Sequence, residues 1–235
     1  MLRKLAFTLA VLISFAASAQ TIEQPVVKVG SECHYDVFDN LQKDAQGNIE
    51  KIAERHGVVT SVEGNRVTIN WTQKILVSRD TEDLEGGGVW IYDRNLNVVE
   101  RNGRKFDPAY PARFYPLAPG MEKKEAKTNY PQRQGSGEIS AQLDGKASNW
   151  EKLVVPAGSF DVIRITWDGW YNTSDLAGRL HAGSAVSPVN GRLYHEVALS
   201  PATWCEIYGV FKRSRGRGKY LRWTDRTYKL TGFKN

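Results

Sequence analysis

The chain has 235 residues and a formal net charge of +6, with 41% hydrophobic residues and two cysteines. This length suits one large β domain or two small ones with a substantial core. No segment after the signal-like start approaches the roughly 18 consecutive apolar residues of a membrane-spanning helix, so we expect a soluble mature protein. Paired ligand spacings such as CxxC or HxxxH are absent from the sequence, which argues against a metal site.

The amino terminus has the three-part pattern of a secretory signal peptide. Arg3 and Lys4 form a positively charged start, and a mostly apolar run extends from Leu5 to Phe15. Ala17-Ser18-Ala19 then supplies small residues at the positions that a signal peptidase reads. The apolar run is too short to span about 30 Å of hydrocarbon at about 1.5 Å per residue. We therefore predict cleavage near Ala19 and a mature protein that is periplasmic or secreted.

Turn signals and alternating apolar residues indicate an all-β protein with mainly antiparallel strands and little helix. Residues 66–71 and 161–167 both alternate apolar and polar side chains and both end in tryptophan, as strands with one buried face do. A short helix within residues 41–55 is the weak alternative, interrupted by Gly47-Asn48. Glycine turns are predicted at Asn102-Gly103, Asp144-Gly145, Asp168-Gly169 and Asn190-Gly191.

A weak internal repeat predicts two related β units. Residues 58–71 align without gaps to residues 154–167, and flanking motifs recur in the same order, as a duplicated unit would leave them. Chance similarity between β-rich segments is the alternative. The junction is predicted at residues 107–113, because its two prolines cannot donate to a sheet and favour an extended linker. The predicted organisation is a signal peptide (1–19), an N-terminal β unit (20–113) and a C-terminal β unit (114–235).

Charge is divided unevenly between these two units. Residues 20–113 carry 12 basic and 15 acidic side chains, a net of −3, whereas residues 114–235 carry 18 basic and 11 acidic, a net of +7. For an exported protein, acidic lipid headgroups or anionic glycans are the expected partners of a basic surface, and nucleic acid is not. A solvated basic edge strand that discourages aggregation is the structural alternative. The residues predicted to contact an anionic surface are Arg213, Arg215, Arg217, Lys219 and Arg222.

Two short motifs resemble an exported bacterial family. Phe114–Gly120 reads Phe-Tyr-Pro-Leu-Ala-Pro-Gly, and Val154–Asp161 reads Val-Val-Pro-Ala-Gly-Ser-Phe-Asp. Both are similar to motifs of exported, periplasmic bacterial proteins known only as a domain of unknown function. Residues 203–212 and 227–230 resemble the closing strands of that family, with Cys205 where an aromatic residue is expected. The resemblance implies curved sheets of half-barrel or open-barrel type, like those of periplasmic lipoprotein carriers, and implies no catalytic residues.

The C-terminal half is dense in aromatic residues. Aromatic side chains favour strands and pack in the cores of sheets, but exposed ones can stack on sugar rings or line a lipid groove. Two of them follow the predicted turn at Asp168-Gly169 and are therefore expected at or beyond a turn. The polar segment 172–190 is a candidate flap or binding element. The tentative ligand-binding residues are Trp170, Tyr171, Trp204 and Trp223.

The two cysteines, Cys33 and Cys205, leave two alternatives open. In an oxidising compartment they can form a disulfide. Otherwise they are unpaired thiols packed as small apolar residues.

Catalytic chemistry receives little support from the sequence. His34 shares a strand face with Asp36, and His195 and Glu196 are adjacent and so point to opposite faces, but no nucleophile accompanies either pair. We therefore predict no enzyme activity, no cofactor and no metal.

The favoured function is a non-catalytic binding or carrier module of the cell envelope. It would hold an apolar, lipid-like ligand or a glycan and direct its basic C-terminal face toward anionic envelope components or a membrane surface. A structural or assembly partner that docks through exposed sheet edges to an envelope protein is the first alternative. A hydrolase of an envelope polymer is the second, with His34, His195 and Glu196 as its candidate residues.

Overall fold

The computed structural model describes residues 21–77, 87–131, 138–174, 189–215 and 222–235. The predicted signal peptide lies outside these ranges. The regular structure within them is β-strand, which confirms the all-β prediction, and no helix there is long and apolar enough to cross a membrane. The strands are β1 (Glu32–Lys43), β2 (Ile49–Glu63), β3 (Arg66–Ile75), β4 (Gly88–Asp93), β5 (Val98–Arg101), β6 (Arg104–Tyr110), β7 (Glu122–Pro131), β8 (Glu138–Ala147), β9 (Glu151–Val155), β10 (Gly158–Ser174), β11 (Val189–Ser200), β12 (Thr203–Arg215) and β13 (Arg222–Lys234).

Twelve of these strands form one closed antiparallel sheet. Neighbours in sequence pair from β1 to β8, β8 pairs with β10, β10 to β13 pair in order, and β13 returns to β1. β9 pairs with the first residues of β10 and stands outside the ring. The antiparallel prediction is confirmed, but the half-barrel implied by the resemblance is wrong, because the sheet closes into a barrel. Closure pairs the two edges that a half-barrel would expose.

Both halves of the chain contribute to this single sheet. β1 to β6 precede residue 113, whereas β7, β8 and β10 to β13 follow it, so each half supplies six strands of the ring. The halves meet at two seams, where β6 pairs with β7 and where β13 pairs with β1.

Side chains alternate between the inner and outer faces of the barrel. The apolar residues predicted on one face of residues 66–71 and 161–167 all lie inside and are buried. They are Val67, Ile69 and Trp71 in β3 and Ile163, Ile165 and Trp167 in β10.

Glycine marks one predicted turn and three positions inside strands. Asn102-Gly103 joins β5 to β6 with positive φ at both residues, which confirms that prediction. The turns predicted at the other three dipeptides are wrong, because those dipeptides lie within strands. The short helix is also wrong, because residues 41–55 form the hairpin of β1 and β2. Large aromatic rings explain two of the misread glycines, since the rings lie against the glycine backbone and leave no room for a Cβ. The three dipeptides lie within strands: Asp144-Gly145 in β8, Asp168-Gly169 in β10 and Asn190-Gly191 in β11.

The segment between β6 and β7 is part of the core. Ala112 and Arg113 are 5% and 6% exposed, and the indole Nε1 of Trp167 donates to the Ala112 carbonyl oxygen at 3.0 Å. Leu117 exchanges two backbone hydrogen bonds with Ile22. The extended linker predicted at residues 107–113 is therefore wrong: residues 107–110 belong to β6 and the residues after them are buried.

A disulfide joins Cys33 of β1 to Cys205 of β12, with Cα atoms 5.9 Å apart. Of the two alternatives that the sequence leaves open, the structure has the bridge. The two strands are separated in the sheet by β13 and the two cysteines by 172 positions in sequence. In the chain-entropy account, closing a loop of this length stabilises the fold by about 5 kcal/mol.

Candidate functional site

Four neighbouring strands bring two arginines and two tryptophans together on the inner face of the barrel. The guanidinium carbon of Arg55, in β2, lies 3.8 Å from the ring centroid of Trp71 and 4.3 Å from that of Trp90. The guanidinium carbon of Arg101, in β5, lies 3.9 Å from the Trp90 centroid. Each contact of this kind stabilises by about 0.5–2 kcal/mol, depending on desolvation. We call these four residues the arginine–tryptophan cluster.

Strand register and one glycine create the cluster. Trp71 lies opposite Gly57 of β2, and Trp90 lies opposite Ile69 of β3 and Arg101 of β5. A Cβ at position 57 would come within 2.5 Å of the Trp71 ring. The missing side chain therefore lets the indole lie flat over β2, within reach of Arg55 two residues away.

Several nitrogen donors of the cluster and its surroundings are buried without a hydrogen-bond partner among the described residues. They are Nε and Nη2 of Arg55, Nε2 of Gln73 and Nε1 of Trp90. Gln73 lies directly opposite Arg55 in the register of β2 and β3. A buried donor left without an acceptor costs about 1–3 kcal/mol, and native proteins rarely leave one so. The four donors thus call for acceptor groups that the described part of the chain does not supply.

Glu206, whose carboxylate acts electrostatically on Tyr35 and Tyr92 beside the cluster, forms an ion pair with Arg113. Arg113 Nη2 donates to Glu206 Oε1 at 3.0 Å, and Arg113 Nη1 donates to the Trp204 carbonyl oxygen at 2.9 Å. Burial is the largest influence on the pKa of Arg113 and lowers it, but Glu206, Tyr115 and Tyr35 together outweigh burial and raise the pKa above its usual value. Because Glu206 is bonded to Arg113, no carboxylate of the described residues pairs with Arg55.

The phenols near the cluster are neutral donors at neutral pH. Burial raises the pKa of Tyr92 to about 12, and the indole Nε1 of Trp71 donates to its hydroxyl oxygen at 3.1 Å. Burial, and secondarily the Glu206 charge, raises the pKa of Tyr35 as well. The inner surface at this point therefore combines aromatic faces, cationic groups and neutral hydroxyls.

The inner face retains accessible space around these groups. Arg55, Gln73 and Arg101 are partly exposed although they point inward, and the side chain of Glu206 is 27% exposed while its partner Arg113 is 7% exposed. An eight-stranded barrel is just filled by its own side chains, and the diameter grows with strand number. In this twelve-stranded ring, the partial exposure of these inward-pointing side chains shows that solvent reaches this part of the inner face.

The structure separates the aromatic residues predicted to bind a ligand. Trp170 and Tyr171 lie within β10 rather than at a turn, with Trp170 outside and 60% exposed and Tyr171 inside and 3% exposed. Tyr171 donates from its hydroxyl to the Ser214 carbonyl oxygen. Trp204 is 4% exposed in the core beside the disulfide. Trp223 belongs to β13, and its side chain lies outside the described part of the structure.

The predicted basic surface is only partly described. Arg213 points inward, with its guanidinium 5.9 Å from the Tyr171 ring, so its place on an outer basic face is wrong. Arg215 and Arg222 pair with each other near the ends of β12 and β13, but their side chains are not described. Arg217 and Lys219 lie outside the described residues, as do residues 175–188 of the predicted flap.

The candidate hydrolase residues do not form one site. His195 points inward, 5.7 Å from the Tyr110 ring centroid, and burial lowers its pKa. Glu196 points outward, where Tyr194 and Arg164 donate to its carboxylate. His34 lies on the outer face of β1, opposite His56. Adjacent residues on a strand point to opposite faces, as expected for His195 and Glu196.

Sequence reasoning missed the arginine–tryptophan cluster. Arg55 falls in the segment where a short helix is the weak alternative, and the sequence places Trp71 on the buried face of a strand, as a core residue. The signal present in the sequence was the alternation around Trp71, together with Gly57 and Arg55 on the same strand face.

No protein-family model matches the chain, and no curated protein matches it. Two solved structures are similar to this chain over most of its length, at low sequence identity. One is a protein assigned as a lipoprotein in Parabacteroides distasonis ATCC 8503, with 14% identity, a TM-score of 0.46, and coverage of 91% of this chain and 97% of that chain. The other is a protein assigned as exported, with a YmcC-like fold, in Bacteroides fragilis NCTC 9343, with 12% identity, a TM-score of 0.47, and coverage of 92% and 100%. Neither likeness assigns a ligand or a reaction.

Proposed function

We propose that the chain is an exported, non-catalytic binding module that holds a segment of an anionic glycan inside its barrel. The observation that carries this proposal is the position of Arg55, which contacts both Trp71 and Trp90 while two of its nitrogen donors are buried without an acceptor. Export is supported by the signal-peptide pattern of residues 1–19 and by the disulfide, which forms and persists in oxidising compartments.

An anionic sugar fits the charge and the donors of the cluster. Its carboxylate can accept two parallel N–H bonds from a guanidinium, and the indole rings beneath the guanidinium groups hold those groups in place. Ring hydroxyls would supply acceptors to Gln73 Nε2 and Trp90 Nε1. Binding sites of this kind combine aromatic walls with a few polar groups that fix orientation.

An acyl chain fits the same surface less well. It would leave the donors of Arg55, Gln73 and Trp90 without an acceptor, and each unsatisfied donor costs about 1–3 kcal/mol. A lipid-like ligand is therefore the second candidate, and it would have to place an anionic headgroup on the cluster.

The assembly alternative has fewer open sheet edges to use than the sequence suggests. A docking partner was expected to add to exposed sheet edges, but the ring of twelve strands is closed. Among the described strands, β9 is the one that pairs on a single side.

The test compares ligand classes on the oxidised chain of residues 20–235. Calorimetric titrations would use an oligouronate of four to six sugars, a neutral oligosaccharide of the same length, and vesicles with and without phosphatidylglycerol. The proposal expects saturable binding of the oligouronate that weakens with salt, with little binding of the neutral sugar. Binding to anionic vesicles without binding to the oligouronate would overturn it in favour of the lipid version, and binding of neither would overturn both.

A further inference from the structure

The outer face of the barrel carries a cluster of three potential metal ligands that the proposed glycan site does not use. His34 of β1 and His56 of β2 are directly opposite each other in the register, and Glu32 lies two residues before His34 on the same strand face. Cys33 and Tyr35, the alternating neighbours in β1, are buried inside. The three side chains therefore project from the opposite surface to the arginine–tryptophan cluster.

The donor atoms of these residues converge. Oε2 of Glu32 lies 3.1 Å from Nε2 of His56 and 3.5 Å from Nε2 of His34, and one donor atom from each residue lies within 4.8 Å of the other two. The imidazole rings are stacked, with centroids 4.1 Å apart and an angle of 8° between their planes. The two histidines thus present the same nitrogen to one carboxylate oxygen.

The two separations from Glu32 Oε2 are close to the edges of a coordination polyhedron. A tetrahedral zinc ion bound at about 2.0–2.2 Å by nitrogen and oxygen has ligand atoms about 3.3–3.5 Å apart. The two measured separations differ from that range by about 0.2 Å or less. A divalent cation would replace the hydrogen bond between His56 and Glu32, and the stacked imidazoles would turn so that both Nε2 lone pairs point at the ion.

We propose that Glu32, His34 and His56 bind a divalent transition-metal ion such as Zn²⁺. Two imidazoles and one carboxylate are a ligand set that suits Zn²⁺, Ni²⁺ and Cu²⁺ rather than Mg²⁺ or Ca²⁺, which prefer oxygen donors. The three ligands are the whole of the cluster among the described residues, so water completes the coordination. Three protein ligands and a water are the arrangement of open zinc sites.

The surroundings hold the ligands in place and leave the metal position accessible. Cys33, between Glu32 and His34, is fixed to β12 by the disulfide, and Lys234 Nζ lies 3.5 Å from Oε1 of Glu32, on the oxygen that the histidines do not contact. The side chains of Glu32, His34 and His56 are 27%, 45% and 35% exposed. A groove of about 300 Å³ runs over this part of β1, β2 and β3.

The spacing of histidines and cysteines in the sequence does not reveal this metal site. Its three ligands come from two strands, and 22 positions separate His34 from His56, so no local motif records them. Only the register of the hairpin of β1 and β2 brings the imidazoles together.

The test measures Zn²⁺ binding to the metal-free, oxidised chain by titration calorimetry and by metal analysis after dialysis. We expect one Zn²⁺ per chain, and we expect H34N, H56N and E32Q each to weaken binding by at least about tenfold, since even outer-shell partners contribute about 10–100-fold. The matched control is D36N. Asp36 lies on the same face of β1 but bonds to Lys51 at 2.7 Å, so its variant should bind Zn²⁺ as the parent does.

A measurement on the parent protein keeps the test independent of how the variants fold. Histidine side-chain NMR should show Zn²⁺-induced shifts at His34 and His56 and none at His195, which is buried on the inner face. Equal weakening of Zn²⁺ binding in D36N and E32Q would show diffuse attraction by surface charge rather than a defined site, and would overturn the proposal. Absence of stoichiometric binding, or shifts confined to other histidines, would also overturn it.

Discussion

Gly57 lies opposite Trp71 in the register of β2 and β3, and the indole covers its backbone so closely that a Cβ would meet the ring at 2.5 Å. The same relationship recurs between Gly145 of β8 and Trp167 of β10, where the corresponding distance is 2.6 Å. In both pairs the glycine is needed because of the partner's side chain, and neither glycine forms a turn.

Alanine at either glycine should therefore destabilise the barrel. We expect G57A and G145A each to lower the free energy of unfolding by about 1–3 kcal/mol, because the rings must leave their places. Urea unfolding measures this. The control is G232A in β13, where an added Cβ would meet its nearest neighbour at 3.8 Å, an ordinary contact. A loss in G232A as large as in G57A would show that the ring contact is not the cause.

The disulfide should contribute a large part of the stability. We expect C33A/C205A to unfold at lower urea concentration, with a loss of about 3–5 kcal/mol, because the bridge closes a loop of 172 positions. Dithiothreitol should lower the unfolding midpoint of the parent and leave that of the variant unchanged. Equal midpoints for oxidised and reduced parent protein would contradict this account.

Stability should fall below about pH 6.5 because of His195. Burial lowers the pKa of this imidazole from 6.5, so the unfolded chain binds more protons than the folded chain at mildly acid pH. The contribution is complete above pH 6.5 and is lost as the pH falls toward the folded-state value. Unfolding free energies of parent and H195Q, measured from about pH 7.5 to 5, should differ in slope, and parallel curves would refute the assignment.

Trp170 should be dispensable both for folding and for the interior site. Its side chain is 60% exposed on the outer face, so W170A should change the free energy of unfolding by no more than about 0.5 kcal/mol. Oligouronate binding should also be unchanged in titration calorimetry. A large loss of binding in W170A would move the ligand to the outer face of the barrel, beside a residue that the sequence predicts to bind it.

Local pattern predicted the class of fold but not its closure. The alternation in residues 66–71 and 161–167 is a property of neighbouring residues, and the structure confirms both as inward-facing strands. Closure depends on the pairing of β13 with β1, which joins parts of the chain that are far apart in sequence and leaves no local signature.

The candidate sites were hidden for the same reason. Arg55 and Arg101 meet at Trp90 only because four strands pair in a particular register, and each arginine taken singly reads as a polar surface residue. The glycines were misread because Asp-Gly and Asn-Gly favour tight turns, whereas here the space above Gly145 and Gly191 is filled by a ring from the neighbouring strand.

The most direct test of the interior site is the dissociation constant of an oligouronate for the parent chain, R55Q and K74Q. Lys74 lies on the outer face of β3, so K74Q removes the same charge without touching the cluster. A hydrogen bond to a charged group contributes about 1.5–3 kcal/mol, so binding should weaken at least about tenfold in R55Q and stay unchanged in K74Q. Equal dissociation constants for the parent and R55Q, or equal losses in both variants, would contradict binding at the arginine–tryptophan cluster.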